Sequence, residues 1–264
     1  MTATIWVILA TALWMGVARV ASAALKNPRQ DPAYGIGYLA LRAYVRVIQR
    51  FRVIDPHLLP AGEKAGPLVV VVNHSAGIDP VLVQCACPFE VRWLMARDMM
   101  LPRFDRLWAW LRVIPIDRSA GDAAGLREAL RHLSAGGVIG LFPEGRIARP
   151  RGTIQPFAPG VGLLVKRSGA PVLPIVIEGT ADAESAWASL FTPARATLRP
   201  LPVRSYAGRD LSAHEIADDL RRVFAQATGW VPVEDPVARA AGPGGAVRGD
   251  RPRRAGGPSA ESAA

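Results

Sequence analysis

The chain has 264 residues and 28.2 kDa, enough for one sizeable α/β domain or two small ones. Half of its residues are apolar and the mean hydropathy is +0.17, which excludes a disordered chain, while two cysteines exclude a disulfide scaffold. Lys and Arg number 32 against 22 Asp and Glu, and the formal charge of +10 points to a polyanionic partner, either nucleic acid or an anionic membrane surface.

Residues 3–18 form an apolar run that Arg19 interrupts before it continues over 20–25. A helix of about 22 residues is roughly 33 Å long, close to the hydrocarbon thickness of a bilayer. A secretory signal peptide would use Ala21-Ser22-Ala23 as its cleavage site, but no Lys or Arg precedes the run. An uncleaved anchor fits better, either spanning or lying in the surface with Trp6 and Trp14 at the interface. Arg19, Lys26 and Arg29 follow the run, so the positive-inside rule keeps the remainder on the cytoplasmic face. Residues 1–30 are therefore expected to be a membrane-anchoring helix.

A basic amphipathic helix is expected over 34–51. Arg42, Arg46 and Arg50 recur every four residues and share one face, while Leu41, Tyr44, Val45 and Ile48 line another. The pattern suits an ordinary surface helix or a basic face on anionic headgroups, where each Arg adds about 1 kcal/mol. Its place just after an apolar anchor favours the second.

From Leu68 onward the signals alternate. Apolar runs rich in β-branched residues predict strands at 68–72, 91–94, 113–116, 138–142 and 172–177. Helical patterns fall at 80–86, 101–111, 122–134 and 160–168, and a helix at 212–228 opens with a Ser212/Glu215 capping box. The alternation predicts an α/β fold over residues 31–232, with a central, mainly parallel or mixed sheet flanked by helices. Polar residues just past its strand ends should collect in one crevice. Pro171 and Pro174 predict an edge or a bend for the last of these strands. Cys85 and Cys87 are expected to be small buried residues. Residues 233–264, rich in Ala, Gly, Pro and Arg, predict a disordered tail.

Four blocks hold residues suited to chemistry. In Asn73-His74-Ser75-Ala76-Gly77-Ile78-Asp79, the His and the last Asp are five apart across a turn. Asp79 can then fold back onto one imidazole nitrogen and leave the other as a general base. A capped turn with a structural His has the same spacing. Ser75 lies in no G-x-S-x-G setting, so the pair suits a substrate hydroxyl as the attacking group. The second block, Val113 to Arg118, ends in Asp117-Arg118, which alone reads as a surface ion pair. The third, Phe142-Pro143-Glu144-Gly145-Arg146, offers a hydroxyl acceptor and a guanidinium for an oxyanion. The fourth is Pro171-Val172-Leu173-Pro174-Ile175.

In this order the blocks resemble the glycerolipid acyltransferase family, typified by 1-acylglycerol-3-phosphate acyltransferase, over roughly residues 68–179. The resemblance implies a membrane-associated enzyme that acylates the free hydroxyl of a lysophospholipid, converting 1-acylglycerol-3-phosphate to phosphatidate. His74 would deprotonate the hydroxyl and Asp79 would orient the imidazole. The hydroxyl would attack the thioester of acyl-CoA or acyl carrier protein, with no acyl-enzyme. Arg118, Glu144, Gly145 and Arg146 would cradle the glycerol phosphate, with Asn73 and Pro143 supporting them and the Pro174 strand lining the acyl side. A thioester is already activated, so no metal or other cofactor is implied. The implied partners are membrane lipids, the lysophospholipid and the acyl donor.

Two positions depart from the family's pattern. Arg112 stands where Gly is usual, and Gly145 meets Arg146 without the usual Ser or Thr between them. The shortened form resembles the acyltransferase half of bifunctional proteins that reacylate lysophosphatidylethanolamine. Both changes fall where the headgroup should bind, so lysophosphatidylethanolamine or a non-phosphorylated lipid alcohol are alternative acceptors. A non-catalytic basic protein binding anionic membrane or nucleic acid is the reading from another class, and it rests on charge alone. Trp93, Trp108 and Trp110, set among Arg residues, suit an interfacial belt better than a stacking platform, so no nucleic acid is expected.

Overall fold

The computed structural model describes residues 2–62, 65–117, 123–183 and 185–234. The expectations placed on Arg118 and on the segment beyond Glu234 lie outside the described residues.

The strands are β1 (Arg52–Val53), β2 (Leu68–Val72), β3 (Arg92–Ala96), β4 (Ile114–Ile116) and β5 (Val138–Leu141), then β6 (Thr153–Ile154), β7 (Val172–Glu178), β8 (Thr197–Pro200) and β9 (Val231–Pro232). Seven of them form one sheet in the order β1-β8-β7-β2-β5-β3-β4, and β6 pairs with β9. Neighbours from β7 to β4 are parallel and β8 runs antiparallel to β7, so the expected mixed sheet is present. The helices are α1 (Thr2–Leu25), α2 (Pro32–Val47), α3 (Asp79–Ala86), α4 (Asp105–Trp110), α5 (Ala123–Ser134), α6 (Pro159–Ser168) and α7 (Ala213–Thr228).

β2 lies in the middle and is buried along its whole length, which is why its sequence is an unbroken apolar run. Val69 and Val71 pack with Leu133 of α5, Leu164 of α6 and Phe224 of α7. Leu68, Val70 and Val72 point the other way, to Val45 of α2 and Leu82 of α3. Helices thus cover both faces, and the polar loops emerge at the strand ends. The capping box of α7 is present, with Ser212 Oγ accepting from the Glu215 amide at 3.2 Å.

The proline-bearing strand corrects its expectation. β7 lies between β8 and β2, in the interior of the sheet. Its register with the neighbouring chain runs Ile175↔Pro200 but Val172↔Arg204, so one extra residue sits on the β8 side opposite Pro174. That bulge falls where Pro174 has no N–H to donate, and its carbonyl still accepts from the Leu201 amide at 2.9 Å. A ladder towards β2 is kept by the odd-numbered residues.

The basic helix is also shorter than expected. α2 stops at Val47, Arg50 takes a left-handed φ of 44°, and the chain turns into β1. Arg50 therefore leaves the face that Arg42 and Arg46 share. The tryptophans form no common belt: Trp93 stacks on Phe142, Trp108 is buried, and Trp110 alone of the three is exposed.

α1 is long and apolar enough to cross a membrane, and its apolar side chains, Trp6 and Trp14 among them, are exposed. It packs on α2 at Gly35, where a Cβ would lie 1.8 Å from the Ala24 carbonyl oxygen. Asn27 shapes the turn between them by donating to the Ala24 and Asp31 carbonyls at 2.6 and 2.9 Å. Arg29 then ties the turn to the domain through Glu90 at 2.7 Å and the Trp110 carbonyl at 2.6 Å.

Candidate active site

The loop after β2 carries His74, and Asp79 opens α3 immediately beyond it. The Asp79 carboxylate has no exposed surface. Its Oδ2 accepts from the backbone amides of Ser75 at 2.7 Å and Ala76 at 2.9 Å. It also meets His74 Nδ1 at 3.0 Å. A carboxylate only accepts, so Nδ1 carries the proton and Nε2 keeps its lone pair. The imidazole is 19% exposed, which leaves it open to a ligand. Gly77 is needed in this turn, since a Cβ there would come within 2.2 Å of the Ala186 carbonyl oxygen.

A second buried carboxylate grips the same loop from the end of β5. Glu144 Oε1 accepts the His74 amide at 2.9 Å and Oε2 accepts the Gln155 amide at 3.1 Å. Burial pushes its carboxyl upward from the ordinary value, and the two amide bonds oppose that shift. The His74 carbonyl accepts from the Ala148 amide at 2.7 Å. Asn73 fixes the loop to the sheet, donating to the Ile177 carbonyl at 2.9 Å and accepting the Ile177 amide at 2.7 Å. It continues the β2–β7 ladder one residue past the strand.

Asn73, His74, Asp79 and Glu144 are therefore brought together, as expected from their places after strand ends. Pro143 is buried next to Glu144, and its carbonyl accepts the Ala158 amide at 2.8 Å. Gly145 turns the chain with a φ of 66°, which explains a glycine there, and both it and Arg146 are exposed. Glu144 departs from its expected place among hydroxyl acceptors, because the protein's own amides take both of its oxygens. Pro174 lies within the buried strand, three residues before the one that Asn73 bridges.

Sequence reasoning missed the groups that hold the imidazole. The His74 ring stacks on Phe142 with centroids 4.1 Å apart, and Trp93 stacks on Phe142 at 5.0 Å. Gly140 makes room for that column, since a Cβ there would lie 2.9 Å from the Trp93 ring. Phe142 stood in the third block, but only the β3–β5 register reveals its neighbour. The Gln155 and Ala148 amides have no side-chain signal at all.

A cleft of about 260 Å³ opens beside the loop, bounded by Ser75, Ala148, Arg151, Glu178, Thr180 and Trp230 among others. Arg151 Nη2 donates to the Thr180 carbonyl at 2.5 Å and to its hydroxyl at 2.8 Å. The Thr180 and Ser75 hydroxyls are 3.2 Å apart.

Residues 50–178, which include both carboxylates and His74, match the family model described as Acyltransferase. That segment, just under half of the chain, resembles the acyltransferase family. Two relatives are 30% identical to this chain over the parts they match. N-acylphosphatidylethanolamine synthase of Arabidopsis thaliana matches over 42% of the chain and 42% of its own length. 1-acyl-sn-glycerol-3-phosphate acyltransferase alpha of Mus musculus matches over 60% of the chain and 56% of its own length. The chain thus spans about half the length of the curated relatives it matches. The crystal structure of the 1-acyl-sn-glycerophosphate (LPA) acyltransferase PlsC from Thermotoga maritima aligns with a TM-score of 0.61 and 20% identity. That alignment covers 76% of this chain and 81% of the other, and it shows a shared fold.

Proposed function

We propose that this protein transfers a fatty acyl group from the thioester of acyl-CoA or acyl carrier protein to the free hydroxyl of a lysophospholipid at a membrane surface. The observation that carries the reading is the 3.0 Å contact between His74 Nδ1 and the buried Asp79 carboxylate, beside a cleft and within the family's matched segment. Nε2 takes the hydroxyl proton as the oxygen attacks the thioester carbonyl. The C–S bond then breaks, and the leaving thiolate takes the proton from the imidazolium. Asp79 keeps the imidazole in its working tautomer and stabilises the transient positive charge. Binding both substrates at one centre supplies much of the remaining acceleration. The step needs no metal or other cofactor in this reading.

Glu144 is a positioning residue here, since it sets the backbone of His74. Gly145 and Arg146, with Arg118 from the second block, are the groups proposed to meet the acceptor's phosphate. The relatives' names include 1-acyl-sn-glycerol-3-phosphate, a phosphorylated lysolipid. α1 is proposed as the anchor, with the domain on the cytoplasmic face, because its outer surface is apolar and basic residues follow it.

The test is incubation of the purified full chain with a mixture of lysolipids and acyl donors, with products identified by mass spectrometry. A diacyl product that disappears in His74→Ala, with folding intact by circular dichroism, supports the reading. Undiminished transfer in that variant overturns it.

A further inference from the structure

Asp79 is reached from the molecular surface by a row of side chains that the transfer step above does not use. Its Oδ2 is occupied by His74 Nδ1 and by the Ser75 and Ala76 amides. Among the described residues, the group that reaches Oδ1 is the Ser75 hydroxyl, at 3.4 Å, which also lies 3.5 Å from Oδ2. The Thr180 hydroxyl donates to Ser75 Oγ at 3.2 Å, and Arg151 Nη2 donates to Thr180 Oγ1 at 2.8 Å. A guanidinium only donates, so the Thr180 oxygen accepts and its own proton is left for Ser75. The Ser75 proton is then free for the carboxylate. Every bond in the row therefore points inward, from an exposed cation lining the cleft to an anion with no exposed surface.

We infer that Thr180 and Arg151 are positioning residues for acyl transfer, acting on the His74 imidazole through the Ser75 hydroxyl and the Asp79 carboxylate. The inference takes its catalytic meaning from the acyl-transfer reading. Ser75 and Thr180 are both buried, and in a medium of lower dielectric than water hydrogen bonds in a row polarise one another. A carboxylate held at one oxygen alone can pivot about its Cβ–Cγ bond. A donor on Oδ1 stops that pivot and fixes the direction in which Oδ2 meets Nδ1. A serine hydroxyl turns about its own bond, and Thr180 limits that turning by occupying one of its lone pairs. Thr180 is gripped in turn by Arg151, which binds its carbonyl at 2.5 Å as well as its hydroxyl. Loss of an outer link therefore loosens the imidazole without removing any group that touches it.

Two measurements on the full chain in detergent test this: kinetics with acyl-CoA and lysophosphatidate, and magnetic resonance of histidine rings labelled with nitrogen-15. The His74 Nδ1–H signal is identified by its loss in His74→Ala. Thr180→Val keeps the side chain's shape and removes its hydroxyl. It should move that signal and lower kcat about 5–10-fold, the size of one lost hydrogen bond, with KM unchanged. Thr180→Ser should restore both readouts. Arg151→Met removes the outermost donor at an exposed position and should move the signal in the same direction by less. On a Ser75→Ala background, Thr180→Val should change neither readout further, because the row is already broken. A His74 signal unmoved by Thr180→Val and Arg151→Met overturns the inference and leaves acyl transfer standing, even if Thr180→Val lowers thermal stability. Signals that follow the row in a protein without any acyl transfer overturn the proposed function and support the row's hold on the imidazole.

Discussion

The imidazole of His74 lies almost flat on the ring of Phe142, with 4.1 Å between centroids and 19° between planes. Asp79 holds the imidazole at its edge through Nδ1, and Phe142 supports its face, so the direction of Nε2 is set by two contacts at right angles. Truncating Phe142 to Leu should let the ring tilt. A misplacement of about 1 Å can cost about 10²-fold in rate, so kcat should fall by about 10–100-fold with little change in KM. Steady-state kinetics with saturating donor measure the split.

Asp79→Asn replaces an acceptor of four donors, the Ser75 hydroxyl among them, with a group that has one oxygen and an NH2. The Ser75 and Ala76 amides and His74 Nδ1 then compete for that oxygen. The rate should fall by about 10²–10⁴-fold, the usual contribution of a positioned base. Urea unfolding should show a loss of about 1–3 kcal/mol for the buried donor left unsatisfied.

Glu144 makes stability depend on pH. Its folded-state pKa is raised by burial, so the folded protein holds this proton more tightly than the unfolded chain does. The group's contribution is therefore most favourable below its unfolded pKa, declines as pH rises to the folded value, and is constant above it. Other carboxyls titrate alike in wild type and in Glu144→Gln, so the difference between their unfolding free energies isolates this residue. Relative to the variant, wild type should gain stability as pH falls from neutrality through the folded pKa of Glu144. Kinetics should show Glu144→Gln lowering kcat, because the amide can satisfy only one of the two backbone N–H groups.

Cys85 and Cys87 should be inert. Burial pushes both thiols up to about 12, and Cys87 has no exposed surface. A thiol-reactive dye at pH 8 should label neither in the folded protein and both in urea.

Much of this architecture was written in local patterns. β2 matches its apolar run at 68–72 residue for residue, and the α7 capping box needed only Ser212 and Glu215. The His74–Asp79 pair was legible because a five-residue turn brings the two together without help from elsewhere. What stayed hidden depends on distant chain. Pro174 suggested an edge or a bend because no sequence pattern announces a bulge in the neighbouring strand. Glu144 looked like a ligand for substrate, and only the fold shows that the amides of His74 and Gln155 reach it first. Arg112 stands where the family's pattern has Gly, and its left-handed φ of 55° supplies the reason a glycine is suited to that turn.

The close fit of Gly35 against Ala24, with Arg29 clasped by Glu90, means that α1 is no loose leash. It leaves the body as a stiff oily spar with a fixed heading. Whatever surface accepts that spar also sets the compass bearing of the crevice at the strand ends, and so the direction from which a long-tailed molecule can slide in.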